Sequence, residues 1–86
     1  MMTKYLVLAM RTSTWSDAVI EPHRQWLAEV RARGQLDCTG RFTDGSGGAY
    51  VVLADNLSAA RELVFTDPIH TTGASALTVH EWEITG

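Results

Sequence analysis

Two stretches of this 86-residue chain carry no alternation of apolar and polar residues. Tyr5-Leu6-Val7-Leu8-Ala9-Met10 and Ala49-Tyr50-Val51-Val52-Leu53-Ala54 are continuous apolar runs of strand length. An antiparallel strand with one wet side alternates, so these runs predict strands covered on both sides. The rest of the chain has to supply that cover.

Between the two runs the pattern changes period. Thr12 to Asp17 is a polar loop containing Trp15. Val19, Ile20, His23, Trp26, Leu27 and Val30 then recur at three- and four-residue steps, which lines them along one helix face. Gly34 is a natural stop. Pro22 would clash with the carbonyl of residue 18 inside a longer helix. The spacing therefore predicts a short turn at 17–20 running into a helix at 22–33, with one kinked helix as the alternative. Leu36 to Thr43 reads as a second strand, and Asp44-Gly45-Ser46-Gly47 as the turn of a hairpin whose third strand is Ala49 to Ala54. Asp55 or Asn56 caps a second helix with Leu57, Ala60, Leu63 and Val64 inward. It has to stop at Asp67-Pro68, because the residue before proline is pushed out of the helical region. A loop from Ile69 to Gly73 leads to a fourth strand, Ala76 to Ile84.

This order predicts an α+β, ferredoxin-like β-α-β-β-α-β fold with a four-stranded antiparallel sheet, in which strands one and three form the central pair. Two helices cover one face only. A second copy of the chain is the simplest cover for the other, which predicts a homodimer through the sheet face. In strand four, Leu77 and Val79 point one way and Trp82 and Ile84 the other, which predicts a bulge or burial on opposite faces.

At 86 residues the chain is read as one domain, 1–86. Its net charge of −3 and dispersed basic residues, apart from a mild grouping of Arg24, Arg31 and Arg33, argue against a nucleic-acid partner. Tyr5 to Met10 is too short to span a membrane and lacks the flanks of a signal peptide. The one cysteine, Cys38, fits a reducing, cytoplasmic setting.

His23 lies on the apolar stripe, between Ile20 and Leu27. A half-buried imidazole facing a cleft can move protons, and one satisfied by a backbone carbonyl is simply structural. Asp67 sits at a chain bend before proline. It can cap the following loop, or meet His23 and orient the ring. His70, Thr71 and Thr72 follow in the same loop and add donors and acceptors near the cleft, with surface loop polarity the favoured explanation. His80 reads as structural near an edge, and Cys38 as a small buried hydrophobe. No histidine or cysteine spacing matches a metal motif, and Gly45, Gly47 and Gly48 sit in a hairpin where a phosphate loop would need a strand-to-helix turn. No metal and no cofactor is expected.

Several short segments together resemble the YCII-related (YciI-like) family over nearly the whole chain. They are Lys4-Tyr5-Leu6-Val7-Leu8, His23-Arg24-Gln25-Trp26-Leu27, Arg33-Gly34-Gln35-Leu36, Thr39-Gly40-Arg41-Phe42, Asp44-Gly45-Ser46-Gly47-Gly48, and Asp67-Pro68 with Gly73 beyond. The resemblance implies a dimeric α+β barrel, two chains packed sheet to sheet, and an active-site pair that falls by position on His23 and Asp67. It implies small-molecule binding around them, by Trp26, Gly40, Arg41, Ile69 and His70. Similar domains include muconolactone isomerase-like and dehydrochlorinase enzymes. The chain departs from the family pattern at Thr39-Gly40-Arg41, where Ser-Gly-Pro is common, and at Ile69, where an aromatic is common. Three functions follow as expectations. One is acid–base isomerisation or elimination, which needs no cofactor. Another is a non-catalytic metabolite-binding or dimerisation module. The third is RNA binding, which shares the fold order. Gly48-Ala49-Tyr50-Val51-Val52-Leu53 echoes part of an RNA-recognition strand, but it lacks the leading base and the closing aromatic.

Overall fold

The first apolar run lies in the middle of the sheet. The computed structural model describes residues 2–86. Its strands are β1 (Thr3–Arg11), β2 (Leu36–Arg41), β3 (Gly47–Ala54) and β4 (Ser75–Glu81), and its helices are α1 (Ile20–Ala32), α2 (Leu57–Val64) and α3 (Pro68–Thr71). The strand order is β2-β3-β1-β4, antiparallel throughout, so the two apolar runs are the central pair.

Alternation along β1 sorts the side chains. Tyr5, Val7 and Ala9 are buried under the helices. Their neighbours across the ladder are Val52, Tyr50 and Gly48 on β3, and Glu81, Val79 and Leu77 on β4. Trp26 and Val30 of α1 and Ala60 and Val64 of α2 complete the main core. A smaller cluster, Ala9, Val19, Ile69 and Ala74, fills the end of the sheet under α3. Leu6, Leu8 and Met10 take the other side of β1, across from Val51, Ala49 and Gly47. No helix lies on that side. The split in β4 has the same origin. Leu77 and Val79 are on the helix side, whereas Trp82 and Ile84 lie beyond the strand end and are exposed, and the β1–β4 register runs without a bulge.

Local chemistry explains the boundaries. Ser16 caps a 3₁₀ turn at Asp17–Val19, its hydroxyl accepting from the Ala18 amide at 3.2 Å. α1 follows directly and starts at Ile20, two residues before the sequence expectation. Pro22 is tolerated because first-turn amides have no intrahelical acceptor to lose. Gly34 closes α1 at φ +74°, as expected. Asn56 is the α2 cap, accepting from the Ala59 amide at 2.8 Å. α2 ends at Val64, three residues ahead of Asp67, and the expected loop after Asp67 contains the single-turn α3. Cys38 is exposed on the edge strand β2 and is not a core residue. No helix among the described residues is long and apolar enough to cross a membrane.

Gly47 and Gly48 open β3 where it is squeezed between its neighbours. A Cβ on Gly47 would meet the Ala9 carbonyl of β1, and one on Gly48 would meet the Gly40 carbonyl of β2. Both obstacles are backbone. Gly40 itself faces open space. Gly48→Ala is therefore expected to lower unfolding stability by about 1–3 kcal/mol in urea melts. Gly40→Ala should stay within about 0.5 kcal/mol of the parent.

Candidate active site

Asp67 is fully buried, an anionic side chain at the boundary of two apolar clusters. Such a group is tolerable only if its oxygens are satisfied. Oδ1 accepts from the Ile69 amide at 3.0 Å and lies 2.9 Å from His23 Nδ1. Oδ2 accepts from the Tyr50 hydroxyl at 3.1 Å. Both sequence readings of Asp67 thus hold in one side chain, since it caps α3 and also meets His23. The bend at Asp67-Pro68 makes this geometry. Asp67 stays extended (φ −62°, ψ 131°) while Pro68 starts a helical turn, which brings the Ile69 amide back onto the carboxylate.

The carboxylate fixes the imidazole. With Asp67 as acceptor, the network assigns the proton to Nδ1, and in the neutral ring Nε2 carries the lone pair. Among the described residues no protein group hydrogen-bonds Nε2. The His23 side chain is 21% exposed, and it lines a cavity. Its ring lies nearly parallel to Trp26, 14° between planes with centroids 6.5 Å apart, and Tyr50 sits 6.1 Å away. The Trp26 indole donates to Thr66 Oγ1 at 2.9 Å, and Thr66 donates to the Leu63 carbonyl at 2.6 Å, so the backing ring is anchored to the end of α2.

The cavity, about 420 Å³, opens between α1 and the sheet. From α1 come Ile20, His23, Arg24 and Leu27, one set of three- and four-residue steps. The stripe read from the sequence therefore divides, with Trp26 and Val30 in the core and Ile20, His23 and Leu27 at the cavity. The strands contribute Ala9 and Arg11, Thr39 to Arg41, Gly47 to Tyr50, and Ser75, while the loop before α1 contributes Trp15 and α3 contributes Ile69. Of the ligand-contacting residues expected from the resemblance, Gly40, Arg41 and Ile69 reach this wall. Trp26 does not, being turned behind His23. His70 does not either, being exposed and stacked on Phe65 at 4.5 Å. Among the described residues, no group of three or more histidine, cysteine or acidic side chains is placed to hold a metal.

Sequence reasoning missed Tyr50. Its signal was parity: it pairs with Val7 across the ladder, and so faces the helices with it. Burial, and then the neighbouring Asp67 charge, push the Tyr50 phenol far above its ordinary value of 10.0. It stays a neutral donor in the folded protein while the unfolded chain ionises. That contribution to stability is complete below about pH 10 and is lost as pH rises above it. Tyr50→Phe is expected to cost about 1.5–3 kcal/mol at neutral pH, by leaving Oδ2 unpaired. It should also make the alkaline fall in stability shallower, as read from urea melts at stepped pH.

Comparison with known proteins agrees with this architecture. The family model described as the YCII-related domain matches residues 3–83. The uncharacterized protein YjpA of Bacillus subtilis (strain 168) is 39% identical over 83 residues, covering 96% of this chain and 98% of that one. Among solved structures, the 5-chloro-2-hydroxyhydroquinone dehydrochlorinase TftG of Burkholderia phenoliruptrix AC1100, in complex with 2,5-dihydroxybenzoquinone, matches with TM-score 0.74 at 17% identity over 93% of each chain. A hydroxynitrile lyase from Passiflora edulis matches with TM-score 0.50 at 12% identity, covering 99% of this chain and 96% of that one. At such identities the two structures speak for the fold alone, an α+β domain with helices on a four-stranded antiparallel sheet. With a family model spanning nearly its full length and a close relative of the same size, this chain belongs to the YCII-related family.

Proposed function

We propose that residues 1–86 form one YCII-related domain that performs general acid–base chemistry on a small organic molecule, by isomerisation or elimination. The observation that carries this reading is the 2.9 Å contact between His23 Nδ1 and the buried Asp67, with the opposite ring nitrogen left for the cavity. Nε2 takes a proton from carbon, and Asp67 stabilises the imidazolium that forms. In an isomerisation the proton returns to a different carbon. In an elimination it stays on His23 while a leaving anion departs, and it is released to solvent afterwards. Gly40, Arg41 and Ile69 shape the binding wall. The names of the two fold neighbours, a dehydrochlorinase and a lyase, support the same class of chemistry.

A panel of chlorinated hydroxyquinols and unsaturated lactones, read by chloride release and ultraviolet absorbance, tests this. His23→Gln is expected to lower turnover of any active compound by about 10²–10⁴-fold while the protein stays folded. A folded His23→Gln with undiminished turnover overturns it. A compound that raises Tm and is recovered intact, with no turnover across the panel, favours the non-catalytic binding module.

The protein works as a homodimer in this reading, with the bare sheet face as the interface. Half-buried Leu6 and Leu8 and exposed Met10 of β1 occupy that face around Val51 of β3, which the chain itself already buries, and Trp82 and Ile84 lie exposed just past β4. A contiguous apolar face of this kind is what a second copy would cover. The exposed free thiol of Cys38 fits a reducing, cytoplasmic setting. Sedimentation is expected at twice the chain mass, falling to the single-chain mass for Leu8→Lys. A strictly monomeric parent at high concentration removes the interface.

A further inference from the structure

Three of the seven basic side chains line one cavity in a chain whose net charge is −3. Arg11 comes from the end of β1, Arg24 from α1 and Arg41 from the end of β2. They are far apart in sequence, and the topology brings them together. No carboxylate lines the cavity with them. Asp67, the nearest acid to His23, is buried behind the ring and is occupied by Tyr50 and Ile69. Among the described residues the ion pairs are Lys4–Asp37 and His23–Asp67, so none of the three guanidiniums has a carboxylate within 4.0 Å. Arg11 lies over the Trp15 ring, 4.0 Å from its centroid, and that ring is held by a bond from its Nε1 to Asp17 Oδ1 at 3.2 Å. A guanidinium stacked on an indole keeps its N–H fork at its edge for an acceptor.

The three side chains are exposed around the cavity, and like charges gathered about a concave opening create a field that draws in an anion. The same cavity is lined by the apolar side chains of Ile20, Leu27 and Ile69, which suit a hydrocarbon ring. We propose that the cavity selects a small, flat organic carboxylate, with Arg11, Arg24 and Arg41 binding the carboxylate and the apolar wall holding the ring. This rests on the reading that the cavity is the ligand site, and it adds the ligand's charge. A planar carboxylate matches the guanidinium fork in pairs of parallel hydrogen bonds, and a cavity at the low end of the usual range of about 300–1,000 Å³ limits the rest to about one ring.

Calorimetric titration with benzoate, its neutral isostere benzamide and inorganic phosphate tests the proposal without requiring turnover. Benzoate is expected to bind at least about tenfold more tightly than benzamide, with affinity falling as salt rises. Each of Arg11→Met, Arg24→Met and Arg41→Met should weaken benzoate several-fold and leave benzamide unchanged. Arg61→Met, remote from the cavity, should change neither. Equal affinity for benzamide, or benzoate binding indifferent to all three arginine variants, overturns the proposal. So does phosphate displacing benzoate at equal concentration, since the apolar wall would then contribute nothing. His23→Gln separates this proposal from the catalytic one. Benzoate binding kept in that variant upholds the anion site even if no compound is ever turned over.

Discussion

The buried carboxylate of Asp67 ties the molecule together. Its two oxygens receive one group from each of three elements that are otherwise separate: the imidazole of α1, the phenol of β3 and the Ile69 amide of α3. An ionised side chain in such surroundings is strongly disfavoured unless every lone pair has a donor, so each partner is held in place by the cost of leaving it unmade. The position of the imidazole is therefore set by the packing of the whole domain. α1 cannot slide along the sheet, and α3 cannot unwind, without exposing a charge to an apolar interior.

The sheet imposes the second constraint. Its central strands are apolar on both sides, and the two sides serve different ends. Tyr5, Val7 and Val52 sit beneath the helices and provide the bulk of the core. Leu6, Leu8 and Val51 form a second apolar layer that no helix of this chain reaches. The cavity lies on the helix side, between α1 and the strand ends that carry Arg11, Arg41 and Ser75. A cavity can exist there because the core residues Trp26 and Val30 stop short of it, while the shorter or half-buried residues Ala9, Ile20 and Leu27 border it.

Much of this was legible in the residues. The two unbroken runs marked the central strands, the three- and four-residue steps from Val19 to Val30 marked α1, and the glycine-rich turn marked the hairpin. Local spacing has no access to distances across the fold, which is why the meeting of His23 and Asp67, 44 residues apart, stayed open until family resemblance favoured it. Tyr50 was hidden by its own context, since an aromatic residue in an apolar run reads as core, and its hydroxyl acts only because Asp67 lies above it. α3 escaped because four residues are too few to show a period. Trp26 and His70 are placed off the cavity wall for a related reason: each neighbours the site in sequence, yet a helix turns Trp26 behind the imidazole and α3 turns His70 outward onto Phe65. Cys38 has the composition of a core residue but lies on an edge strand, where burial ends.

The way the α1 stripe divides has a consequence for how such a protein can change. The residues that hold the imidazole, Asp67, Tyr50 and Trp26, are buried in the load-carrying interior, whereas strand ends and a loop at Trp15, Thr39 and Arg41 form the outer rim of the cavity. Substitutions in the second group alter what fits without disturbing the first. Drift along that rim can therefore reshape the opening while the imidazole behind it keeps its orientation.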